Sequence, residues 1–131
     1  MRKLLTISCF LLCITSLISC GKGPDTAPSE ENLNVKLNTA NPATSTSSSY
    51  QFTVEVLSRM PAAGVKINVT AKREDNSTVV FTQDLSSSTA VNSVTVSPLP
   101  MGQVFCTVAV TVTSATTSTN TWNGNFRVVW K

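Results

Sequence analysis

The sequence has no histidine, and only 13% of its residues are charged and 6% aromatic. Without imidazole, the chain lacks the commonest general base near neutral pH and the commonest ligand for zinc and copper. No G-x-S-x-G elbow is present, so the many serines have no recognisable activating arrangement. The seven acids do not pair convincingly: Glu30-Glu31 fall in a polar N-terminal stretch, Glu74-Asp75 at a turn, and Glu55 on a strand's polar face. Glycoside hydrolysis needs two carboxylates set across a cleft, and this spacing does not suggest one. Glu74, Asp75 and Asn76 could lend oxygens to calcium, but the Asp-x-Asp-x-Asp-Gly loop is absent and a plain hairpin tip competes with that reading. The residues therefore point to a protein that is not an enzyme and carries no cofactor or metal.

What is present begins with an N-terminal targeting pattern. Arg2 and Lys3 precede an apolar stretch from Leu4 to Leu17, which matches the charged and apolar regions of a secretory signal. A membrane-spanning helix is the competing reading, but the stretch falls short of the ~20 apolar residues needed and is interrupted by Ser8, Thr15 and Ser16. Leu17-Ile18-Ser19-Cys20, followed by Gly21-Lys22-Gly23-Pro24, resembles the lipobox of bacterial lipoproteins. The resemblance implies cleavage before Cys20 and acylation of Cys20, hence a membrane partner reached through lipid. At ~0.8 kcal/mol per buried CH₂, two or more chains hold where a single one is marginal. Residues 1–19 are thus expected to be a cleaved signal and 20–32 a lipidated tether. The location expected is the cell membrane or outer membrane, facing the periplasm or the cell exterior. Glycine after Cys20, where aspartate would retain a lipoprotein, resembles the outer-membrane sorting rule.

Processing changes the arithmetic of the chain. Cys9 and Cys13 leave with the signal and Cys20 is alkylated, so Cys106 alone stays free and no internal disulfide forms. Arg2 and Lys3 also leave, so eight of the ten basic residues remain against seven acids. The mature chain is close to neutral, and Lys72-Arg73 beside Glu74-Asp75 is no phosphate-binding stripe, which argues against nucleic acid. The 112 residues from Cys20 onward suit one domain.

Residues Gly21 to Asn32 (GKGPDTAPSEEN) are polar and aperiodic, as expected of a flexible tether reaching ~40 Å when extended. Within it, Asp25-Thr26-Ala27 resembles the O-glycosylation acceptor of Bacteroidetes, with Thr26 as the modified residue; a chance match competes with that reading.

From Leu33 to Lys131 apolar and polar residues alternate with period two in seven stretches, which predicts an all-β domain. The inward sets are Leu33, Val35 and Leu37; Tyr50, Phe52, Val54 and Val56; Val65, Ile67, Val69 and Ala71; Val79, Phe81 and Leu85; Val94 and Val96; Val104, Cys106, Val108, Val110 and Val112; and Trp122, Phe126, Val128 and Trp130. Arg127 and Val129 would then face outward and the last strand would be an exposed edge. Asn38–Ser49, Met60–Gly64, Glu74–Ser77 and Pro98–Gly102 read as connections. The count fits an immunoglobulin-like or fibronectin-like antiparallel sandwich of about seven strands, with a small closed barrel as the competitor. The run from Val94 to Phe105 (VTVSPLPMGQVF) resembles the E-to-F corner of fibronectin type III domains across about a tenth of the chain. It departs from that pattern where Phe105 replaces a tyrosine, and the usual tryptophan of the second strand is missing.

Two features leave a binding role open. Trp122 and Trp130 could face a ligand such as a sugar ring, although shared parity with Phe126 argues for core lining. Cys106 with Met60 and Met101 could suggest a soft metal, but its parity marks a small buried hydrophobe. The functional expectation is a non-enzymatic envelope lipoprotein whose sandwich binds or assembles with an envelope protein. The alternatives are an adhesin or glycan binder, and a fimbrial-type subunit that adds a terminal strand to a neighbour.

Overall fold

The computed structural model describes residues 29–131, and Cys20 and Thr26 lie outside them. Eight strands form: β1 (Val35–Asn38), β2 (Ala43–Ser45), β3 (Tyr50–Val56), β4 (Val65–Arg73), β5 (Val79–Ser87), β6 (Val91–Val96), β7 (Phe105–Ser114) and β8 (Thr121–Trp130). They make a three-stranded sheet, β1-β3-β6, packed on a five-stranded sheet, β2-β8-β7-β4-β5. The result is an immunoglobulin-like β-sandwich, in which each sheet can bury one face only against the other.

The alternation dictates the core. Val54, Val56, Val65, Ile67, Val69, Val94, Val96, Val108, Val110, Val112 and Val128 are almost wholly buried. β-branched side chains are stiff at χ1 and pack well on a pleated surface, so a valine-rich interior suits two facing sheets. Phe126 sits among them, with Phe52 edge-on at 4.8 Å and Tyr50 at 6.0 Å between ring centroids. Cys106 is buried and free, and burial pushes its thiol up from the ordinary value.

The structure departs from the sequence expectation in four places. An eighth strand, β2, lies inside the Ser/Thr-rich connection and pairs in parallel with β8 through Ala43–Val128, Thr44–Val129 and Ser45–Trp130. β8 is therefore an exposed edge only before Val128. Val129 is buried despite its outward parity: its register neighbours are Phe105 and Thr44, and the Arg127 guanidinium lies 4.1 Å above the Phe105 ring. Val79 is about half exposed, because a bulge between Ala71 and Lys72 shifts the β4–β5 register and sets Val79 beside Lys72. Phe81 and Leu85 do turn inward but stay partly exposed, since a three-stranded sheet is too narrow to cover β5.

The resemblance to a fibronectin corner gains one physical counterpart. Leu99 is buried and its N–H donates to the Ser48 carbonyl at 2.6 Å, which ties the β6–β7 corner to the β2–β3 connection. Phe105 has no hydroxyl to bond backbone and instead carries the Arg127 cation on its face.

Candidate functional site

Four polar or aromatic groupings stand outside the core. At one end of the sandwich, Asn120 in the β7–β8 turn clamps the N-terminal segment. Its amide donates to Glu30 Oε1 at 2.6 Å and to the Glu31 carbonyl at 2.9 Å, and its Oδ1 accepts the Leu33 N–H at 2.9 Å. Thr117 donates to Glu30 Oε2 at 3.3 Å, and Glu31 Oε2 accepts the Arg59 N–H at 2.9 Å. Hydrogen bonds from Ser114, then Asn120 and Thr117, hold the Glu30 carboxyl below its ordinary value against an opposing desolvation effect. A shallow groove of about 400 Å³ adjoins the clamp, bordered by Glu30, Glu31, Arg59 and Met60. Residues that sequence pattern assigned to a free tether are thus seated on the domain. The signal for this was weak, because nothing local in Glu30 or Glu31 names a partner almost ninety residues away.

At the opposite end, the Glu74 carboxylate accepts from Arg127 Nε and Nη2, each at 2.7 Å, and from the Thr107 hydroxyl at 2.9 Å. Arg127, then Thr107, hold the Glu74 carboxyl low. The neighbouring Arg73–Asp75 pair, bonded at 2.6 and 2.9 Å, depresses Asp75 in the same way. These are ordinary ion pairs bracing the turn that the sequence placed here, and both carboxylates are committed to arginine.

The two tryptophans do not form one platform. They mark the ends of a ten-residue strand, so their backbones are ~27 Å apart at ~3.4 Å per residue. Both pack partly against the core. The far edge of the Trp122 indole reaches over Gly124, where a Cβ would land on ring atoms Cη2, Cζ2 and Cζ3. Trp130 borders a shallow groove with Met101, Gln103 and Lys131. Met101 is three-quarters exposed.

The outer face of the larger sheet is polar and hydroxyl-rich. Register aligns Thr121, Thr113, Lys66 and Ser86 in one row, and Asn123, Thr111, Asn68 and Asp84 in the next. Thr111 donates to Asn123 at 2.8 Å and Asn68 to Asp84 at 2.6 Å. A groove of about 410 Å³ runs over these rows between β5, β4 and β7. Among the described residues no three histidine, cysteine or acidic side chains gather as a metal site, and no helix is long and apolar enough to cross a membrane.

No protein-family model matches the chain, and no curated protein matches it. Among solved structures it is similar to the CARDB domain of the PF1109 protein from Pyrococcus furiosus, crystallised in complex with di-metal ions. That likeness has 15% identity over 78% of this chain and 91% of that one, at a TM-score of 0.46. The solution structure of the same domain aligns at 16% identity over 76% and 96% of the respective chains, at a TM-score of 0.44.

Proposed function

We propose that this chain is a lipid-anchored, non-enzymatic envelope protein whose sandwich is a binding or assembly module. Cys20 carries the lipid, and the tether leads from it to the Asn120 clamp. The clamp is the observation that favours this reading. It fixes the exit of the N-terminal segment at the end bearing the β3–β4 and β7–β8 connections, so a chain held at Cys20 presents its sheet faces and its opposite end to partners. The hydroxyl- and amide-rich outer face then offers donors and acceptors to a polar partner, an envelope protein before a glycan. Strand donation to a neighbour is less favoured, because β8 is matched along its length to β7 within the same chain.

Growth of producing cells with an alkyne-tagged fatty acid tests the anchor. The parent protein should take up the label and Cys20→Ala should not; equal labelling of both would sink the lipobox reading. Gentle detergent extraction of the parent, followed by identification of co-purifying proteins, tests the module. A stoichiometric envelope protein supports assembly, whereas a lone protein that binds a saccharide moves the role to glycan recognition.

A further inference from the structure

The side of the sandwich formed by β5 and β6 differs from the other side. On the other side the edges are short: β2 has three residues, and β1 has four, with Lys36 among them. β5 has nine residues and, among the described residues, no strand neighbour beyond β4. It continues through Ser88–Ala90 into β6, itself the edge of the smaller sheet. From Val79 to Val96 the only charged residue is Asp84, and there is no proline or glycine. Natural sheets blunt long edges with lysine, proline, bulges or covering segments. Here only the bulge beside Val79–Phe81 is present, and it leaves Phe81–Ser87 regular.

The edge is self-complementary. Antiparallel pairing with β5 of a second copy, centred on Gln83, sets Phe81 opposite Leu85 on the inner face and Thr82 opposite Asp84 on the outer face. Phe81 and Leu85 pack against the core but stay partly exposed at this edge, so each would complete the burial of the other. The Thr82 hydroxyl would meet a carboxylate, and each pair occurs twice by symmetry. Centring on Asp84 would oppose two carboxylates, and centring on Thr82 would run the ladder into the bulge. We infer that the protein forms a two-fold dimer through β5, joining two five-stranded sheets into one, with Gln83 on the symmetry axis. The inference does not rest on the lipid anchor. The contact is smaller than a standard interface of ~1,600 Å², so the dimer is weak, with a dissociation constant on the order of ten micromolar or above.

Disulfide trapping in the full-length, detergent-solubilised protein tests both the contact and its register. Gln83→Cys should link to itself under mild oxidation. Thr82→Cys should not, because its copies sit diagonally at ~8 Å, beyond the ~6.8 Å that a disulfide spans. At least a tenfold excess of linked dimer for Gln83→Cys over Thr82→Cys is expected, with the parent chain as background. Sedimentation of the parent should show reversible dimerisation, weakened at least tenfold in Gln83→Lys, where two ammonium groups meet. A parent that stays monomeric at several hundred micromolar, or equal linking of the two cysteine variants, overturns the inference.

Discussion

The indole of Trp122 occupies the space that a side chain at Gly124 would fill, so Gly124→Ala should destabilise the domain even though alanine ordinarily suits a strand better than glycine. The added Cβ overlaps three atoms of the six-membered ring. The ring is the far end of a flexible side chain, and it can yield by swinging into solvent. A tryptophan buries 150–250 Å², and Trp122 is mostly covered, so a swing that frees about half of that area returns roughly 100 Å² to water. At ~25 cal/mol per Å² that is about 2.5 kcal/mol as an upper bound. Removing the conformational freedom of glycine gives back ~0.5–1 kcal/mol, leaving a net loss of about 1.5–2 kcal/mol. The mechanism is isolated by a cycle: in a Trp122→Ala background the clash is gone, so Gly124→Ala should become stabilising by ~0.5–1 kcal/mol. Urea denaturation of the four proteins measures the energies, and the intrinsic fluorescence of Gly124→Ala should shift to the red while Trp130 contributes as before. If Gly124→Ala has the same effect with and without Trp122, the indole does not pack on Gly124 and the reasoning fails. The same outcome would revive Trp122 as a ligand-facing aromatic.

Two further outcomes follow from the ends of the sandwich. Glu30, Glu74 and Asp75 all have carboxyls held below their ordinary values. A depressed carboxyl stabilises the fold above its unfolded value and loses that contribution as pH falls through the folded one. Stability should therefore drop on acidification below the ordinary glutamate value of 4.5, and thermal melts of Glu74→Gln should show a smaller acid dependence than the parent; an identical dependence would remove Glu74 from the explanation. Asn120→Ala removes both amide donations and the acceptor for the Leu33 N–H, so amide exchange at Leu33 should accelerate at least tenfold. Exchange at the parent rate would mean that the clamp does not hold the segment.

Period-two alternation made the large strands legible, because each buries one face and exposes the other over six residues or more. Val65–Ala71 and Cys106–Val112 keep their predicted sides without exception. β2 was not legible: three residues in a serine-rich run carry almost no pattern, and its existence depends on a parallel partner more than eighty positions away. Val79 and Val129 failed for related reasons. Parity assumes an unbroken register and an uncovered outer face, whereas a bulge reverses Val79, and Val129 lies between Phe105 and Thr44. Parity set both tryptophans on the core side, where they pack in part, but only the strand's length shows that they are too far apart to hold one ligand together. The clamp depends on contacts between distant segments, to which periodicity is blind.

If the proposed β5 edge pairing and the proposed lipid anchor at Cys20 both hold, they impose a geometry on each other. An antiparallel β5 ladder would put the two Asn120 clamps at opposite ends of such a dimer. Each sandwich is at least as long as its ten-residue strands, or ~34 Å, while nine residue steps from Cys20 to Ser29 reach ~30 Å at most. A dimer standing upright on one membrane would leave the far anchor out of reach of the bilayer. Both anchors reach one surface only when the strands lie roughly parallel to it. Where that posture also turns a broad face of the continuous sheet to the lipid, the Thr/Asn-rich outer faces of the two copies would form one doubled, membrane-parallel surface. Lengthening the tether with Gly-Ser repeats should relax that constraint without changing dimerisation in detergent. The change should therefore appear as increased protease access to the domain on vesicles and as no change in sedimentation.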